Sequence, residues 1–165
     1  MYAVEAVLRS YAKIYKEDEE KWGVTGLLHD VDWEKYPKTH PKEIVKNLTE
    51  IGTDKEIIHA IASHGNNSPE YPTNHFEERT SLLDKALFAS DEIAGFVIAC
   101  ALVRPDKLDT LKAKSVKKKL KDKAFAAKVS REEIYQGVKE LGVDLDEHIQ
   151  LVIEALQGIK EELGL

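Results

Sequence analysis

The sequence predicts an all-α chain, folded as an irregular orthogonal helical bundle. Apolar residues recur at three- and four-residue steps nearly throughout, and helix start and stop signals fall at the ends of those periodic segments. No segment alternates apolar and polar residues in the manner of a half-buried strand. A chain of 165 residues is a natural size for one domain with a substantial core. No repeat or long linker divides it, so residues 1–165 are expected to form one unit. The single candidate boundary lies near Arg104, with a basic segment and C-terminal helices over 104–165 packing on the core.

In the opening segment Val4, Val7, Leu8, Tyr11 and Ile14 make one apolar stripe with charges opposite. A second helix, from about Glu19, carries Trp22, Leu27 and Leu28 into the adjacent pair His29 and Asp30. After a loop with Pro37 comes "HPKEIVKNLTEIG", where Pro41 suits the first turn of a helix and Gly52 its end. Thr53 with Glu56 is spaced as a capping box for a helix through Ile57, Ile58 and Ile61 to His64 and Gly65. "GNNSPEYPTN" reads as loop. Roughly 79 to 103 is the most apolar helix, stopped before Pro105. Ser130 with Glu133 and Asp144 with Glu147 start the last two helices.

Composition narrows the function classes. With 24 Lys and Arg against 30 Asp and Glu, the formal charge of -6 opposes general adhesion to nucleic acid or to an anionic membrane. The stretch "ALFASDEIAGFVIACALV" contains Asp91 and Glu92, which makes membrane insertion expensive. Cys100 is the only cysteine and the first residues lack a secretory apolar core, so a cytoplasmic location is expected. There is no Gly-rich phosphate loop, Ser nucleophile elbow or Cys nucleophile context.

Chemistry concentrates at helix ends and in one apolar run. His29, Asp30, His40 and His64 stand at predicted termini, where an imidazole can equally complement a helix dipole. Asp91 sits in an apolar helix and needs a cation, an ion pair or solvent access. Imidazole and carboxylate together suit one or two divalent transition ions (Fe, Mn, Zn, Ni or Co), and the absence of a Cys cluster argues against a structural zinc site. Such ions lower the pKa of bound water and polarise phosphoryl oxygens, so hydrolysis is the natural outcome.

"GLLHDVDWEKYP", then "HP" at 40–41, "IASHG" at 61–65 and "DEIAGF" at 91–96, resembles the HD superfamily of metal-dependent phosphohydrolases, in particular its small HDIG-type members. The resemblance covers most of the chain and implies a bundle of the HD-domain type. It implies that His29 and Asp30 are the family's doublet, His40 and His64 the intervening ligands and Asp91 the closing one. Asp30 is then the bridge between metals and the catalytic residue, with a metal-bound hydroxide as nucleophile on a phosphate ester, expected to be a nucleotide. The family also has an early His, which would fall at Met1 or just ahead of it. Here no His precedes His29. Either the chain is shortened or altered at its start, or the ligand is lost and metal binds weakly, at one site or not at all. Glu5 is either a substitute or a solvent-facing acid. A catalytically impaired HD module that binds a nucleotide or a protein is the alternative function.

"LKAKSVKKKLKDKAF", residues 111 to 125, reads either as a solvated helix face or as a phosphate-binding one. In the second reading Arg104, Lys114, Lys117 and Lys118 hold substrate phosphates, with Lys121 on the same face. No aromatic residue interleaves with the lysines, which weakens a single-strand nucleic-acid reading. Asp32 and Glu34 are placed to orient a ligand, or else lie in an exposed loop. His59 is expected to have a packing or surface role, and His75 and His148 are expected at the surface.

Overall fold

The computed structural model describes residues 1–66 and 76–165, and among these the chain is all-helical, with no strand. The helices are α1 (Tyr2–Tyr15), α2 (Glu19–Leu28), α3 (Lys42–Glu50), α4 (Lys55–Ser63), α5 (Leu82–Leu102), α6 (Ala113–Leu120), α7 (Arg131–Leu141) and α8 (Leu145–Gln157). His75 and most of the loop expected at 65–74 fall outside the described residues. No described helix is long and apolar enough to cross a membrane.

Helix ends follow local chemistry. Asp18 accepts from the backbone N–H groups of Glu20 and Lys21 and starts α2. Asp54, not Thr53, caps α4 by accepting from Glu56 N–H. Ser130 and Asp144 cap α7 and α8 as their spacing predicts, and Gly142, at φ 75°, closes α7 in the left-handed region that glycine tolerates. The long apolar helix begins three residues later than its pattern suggests, because Ser81 and Asp84 form a reciprocal capping box at its start. Pro41 precedes α3 as its N-cap.

Helix α5 is the axis of the molecule. Leu87, Ile93, Phe96, Val97 and Ala101 along it are fully buried, and α1, α7 and α8 pack around it to form the main core. A smaller apolar cluster joins Ile44 and Leu48 of α3 to Ile57 and Ile61 of α4, with Val24 and Leu28 of α2 against it. Where this three-helix group meets α5, His29 at the C-terminal end of α2 stands 3.3 Å from Asp91 in the middle of α5, and His59 of α4 stands 3.0 Å from Asp84 near its start. Two close approaches seat neighbouring helices. A Cβ at Gly26 would lie 2.8 to 2.9 Å from backbone atoms of Val4 and Glu5, so α2 rests directly on α1 just before His29. A Cβ at Gly137 would lie 2.6 Å from Ala89 Cα, which seats α7 on α5.

Gly26→Ala is therefore expected to destabilise the fold by about 1–3 kcal/mol through overpacking. Gly95 of α5 is exposed, with open space where its Cβ would be, so Gly95→Ala should stabilise by about 0.5–1 kcal/mol. Denaturant unfolding of the pair checks the opposite signs.

Asp84 accepts from Thr80 N–H and Ser81 N–H and lies 3.0 Å from His59 Nδ1. Burial works to raise its pKa, but these hydrogen bonds outweigh it and hold the carboxyl below the usual range. The stability that Asp84 contributes is present above the ordinary Asp value of about 4 and is lost as pH falls through its lower folded value. Asp84→Ala should cost about 0.5–2 kcal/mol at neutral pH and progressively less as pH falls below the ordinary Asp value, measured by thermal melts across pH.

Candidate metal centre

Three imidazoles reach one point from three directions. His29 is the C-cap of α2 and His64 the C-cap of α4, while His40 stands just ahead of α3. All three are at most 2% exposed. Each ring commits one nitrogen outward. His29 Nδ1 donates to Gly26 O at 2.8 Å and His64 Nδ1 to Ile61 O at 2.6 Å, both carbonyls that can only accept. His40 Nδ1 donates to Asp32 Oδ1 at 2.5 Å, and the other oxygen of that buried carboxylate accepts from Ile44 N–H at 3.0 Å.

The second nitrogens therefore face inward. His40 Nε2 and His64 Nε2 lie 3.0 Å apart, and 3.3 and 3.6 Å from Asp30 Oδ1. His29 Nε2 lies 3.2 Å from Asp30 Oδ2 and 3.3 Å from Asp91 Oδ1. Two groups of potential ligand atoms result, Asp30 with His40 and His64, and His29 with Asp30 and Asp91, each with its atoms within 4.8 Å of one another. Asp30 belongs to both. The imidazoles form the floor, while Asp30 and Asp91 stay about one-third exposed, so the carboxylates face the solvent side. The rings of Trp33 and Phe76 pack edge-on against those of His40 and His64 respectively.

Electrostatics follow from this crowding. Burial disfavours a charged His29, yet Asp91 and Asp30 outweigh it and hold its pKa up at about 10. Burial likewise works to raise Asp30, but hydrogen bonds and charge from His29 and His64 carry it well below the usual carboxylate range. Burial and the neighbouring His64 push His40 down, toward a neutral ring. With each Nδ1 hydrogen committed elsewhere, the inner nitrogens and the Asp30 oxygens would converge as lone pairs were no positive charge held among them. Such an array requires a cation, a proton or a metal, between its members. The donor set of nitrogen and carboxylate oxygen fits a divalent transition ion.

The structure thus brings together His29, Asp30, His40, His64 and Asp91. It does not bring Arg104 or the lysines to them. Arg104 bonds Asp106 and Thr110, and lines a hollow with Lys118 and Lys119 near the C-terminal end of α5. Lys114, Lys117, Lys118 and Lys121 line another hollow on α6, where Lys117 pairs with Asp146 at 2.6 Å. Glu5 is paired with Arg9. Of the two acids after the doublet, Asp32 is buried behind His40 and Glu34 is exposed. His59 is half-buried between Glu77 and Asp84. His148 departs from its expected surface position: it is buried, bonded to the Tyr11 hydroxyl and donating to Ala89 O at 2.9 Å. Its local capping pattern carried no sign of this, because α1 and α5 bury it.

A model of the HD domain family matches residues 1–96, which include all five potential ligands. No curated protein and no solved structure matches the chain.

Asp32→Ala would leave His40 Nδ1 and Ile44 N–H without their buried acceptor. The expected cost is about 1–3 kcal/mol of stability, and an affinity for divalent ions lower by about 10–100-fold. Paired denaturant unfolding and metal titration calorimetry measure both.

Proposed function

The chain belongs to the HD domain family, and from that premise we propose that it is a divalent-metal-dependent phosphohydrolase acting on a small phosphate ester, with nucleotides the first class to test. The observation that carries this reading is the sharing of Asp30 between two groups of potential ligands. His29, Asp30 and Asp91 would hold one ion, and Asp30, His40 and His64 a second, with Asp30 as bridge. Divalent ions in such a setting supply Lewis acidity toward phosphoryl oxygen and lower the pKa of water, so no side-chain nucleophile is needed.

The protein's own part is positional. The carbonyls of Gly26 and Ile61 and the carboxylate of Asp32 hold the three rings in the tautomer whose Nε2 accepts a metal. Buried imidazoles exclude water from the floor, and Asp30 and Asp91, each about one-third exposed, leave one side for substrate. The group of His29, Asp30 and Asp91 has three members, as catalytic sites with an open coordination position do. The separation of Arg104 and the lysines from this cluster shifts the expected phosphate contacts to the metals themselves. We read residues 1–165 as one unit, because α7 and α8 pack on α5 and on one another.

A second reading, a module that binds a nucleotide or protein without turnover, follows from the group of His29, Asp30 and Asp91, which among the described residues offers one imidazole and two carboxylates. In the first reading the purified protein carries about one or two equivalents of metal by elemental analysis and hydrolyses nucleotides. Asp30→Ala then loses both while its far-ultraviolet circular dichroism stays helical. Turnover retained in Asp30→Ala would remove the proposed site. Nucleotide binding that ignores chelator, with no turnover at any metal load, would establish the second reading.

A further inference from the structure

Arg79, just ahead of α5, is a buried cation that the metal chemistry does not use. Its side chain is 3% exposed. One guanidinium nitrogen, Nη1, donates to three carbonyls at the end of α4: Ser63 O at 3.1 Å, His64 O at 3.3 Å and Asn66 O at 2.7 Å. Nε and Nη2 form a two-point pair with Glu140 of α7 at 2.8 and 3.0 Å, and Gln136 supports Glu140 at 2.7 Å. The guanidinium plane lies 3.7 Å over the ring of Phe88 in α5. The last carbonyls of a helix have no partner within it, and a cation at that end is favourable. A buried guanidinium is tolerated only with this degree of pairing.

We propose that Arg79 is a positioning residue for the group of Asp30, His40 and His64. It grips the backbone of His64 itself, and that ring donates its Nδ1 hydrogen one turn back, to Ile61 O. With Glu140 as anchor, Arg79 fixes the end of α4 relative to α7 and α5 and so keeps His64 Nε2 within 3.0 Å of His40 Nε2. The consequence is that α7, outside the matched residues 1–96, takes part in building the site. Lysine cannot replace this function, because a point charge cannot grip three carbonyls and a carboxylate from one rigid fork. The proposal rests on the reading of His64 as a metal ligand.

The experiment is a titration of metal-free protein with Co(II), followed by visible absorption and calorimetry, on the wild type, Arg79→Lys, Glu140→Gln and Arg131→Lys. Arg131 is the control, since it also donates to several carbonyls, those of Ala126 and Val129 among them, none of which belongs to the end of α4. Arg79→Lys should weaken one binding step by about 10–100-fold and leave the other. Glu140→Gln, the milder change should Arg79→Lys not fold, should shift the same step by less, and Arg131→Lys neither step. Unchanged Co(II) binding in both Arg79→Lys and Glu140→Gln, or an equal loss in Arg131→Lys, would overturn the proposal. If the wild type takes up no Co(II), the metal reading itself falls. Solvent exchange of the His64 Nδ1 proton, read by nitrogen-edited NMR, then decides the positioning role alone: faster exchange in Arg79→Lys but not in Arg131→Lys supports it, and equal rates reject it.

Discussion

Three imidazoles with one nitrogen each already committed turn their second nitrogens toward one another and toward Asp30 and Asp91, and the architecture around them is organised to hold that array together with the positive charge it requires. Two of the commitments, to Gly26 O and Ile61 O, lie within one turn of the rings themselves. These acceptors belong to rigid helix, so the rings cannot rotate away without leaving a buried donor unpaired. Among the described residues, Asp30 is the one that belongs to both groups of potential ligands. Its depressed pKa and the raised one of His29 are two expressions of the same demand for positive charge.

Holding such an array requires that helix ends be placed to within a few tenths of an ångström, and small residues make that placement. Gly26 lets α2 touch the backbone of α1, and Gly137 lets α7 touch α5 at Ala89. Polar ties then cross from the C-terminal helices to the region of the cluster. Glu92, beside Asp91, accepts from Ser130 N–H, and His148 bonds Ala89 O two residues before Asp91. The middle of α5 is thereby fixed on faces that the apolar core alone would leave free to slide.

The lysine-rich helix has a different origin. Val116 and Leu120 anchor α6 in the core, and the lysines occupy its remaining faces. One of them pairs with Asp146 at the start of α8, another with Asp122. Exposed pairs of this kind add little stability. They account for part of the basic run as the outer face of an amphipathic helix.

The amino-acid sequence by itself determined the helical class and most helix starts, and its resemblance to the HD superfamily pointed to the five residues that meet at the centre. Periodicity and caps act within about four residues, and the doublet, His40, His64 and Asp91 each stand out locally as a polar group at a helix end or within an apolar run. Where a neighbouring residue offered a competing cap, as Asp54 does beside Thr53, the local pattern was off by one. Only the tertiary structure decided which polar residues are buried and with whom. Tyr11 and His148 are 137 residues apart and Arg79 and Glu140 are 61 apart, so neither pair leaves a periodic trace. The same is true of Gly26, whose missing side chain matters because of a helix that packs on it. The destination of Arg104 and the lysines was likewise set by packing: α6 lies on α8, and its charges open away from the imidazoles.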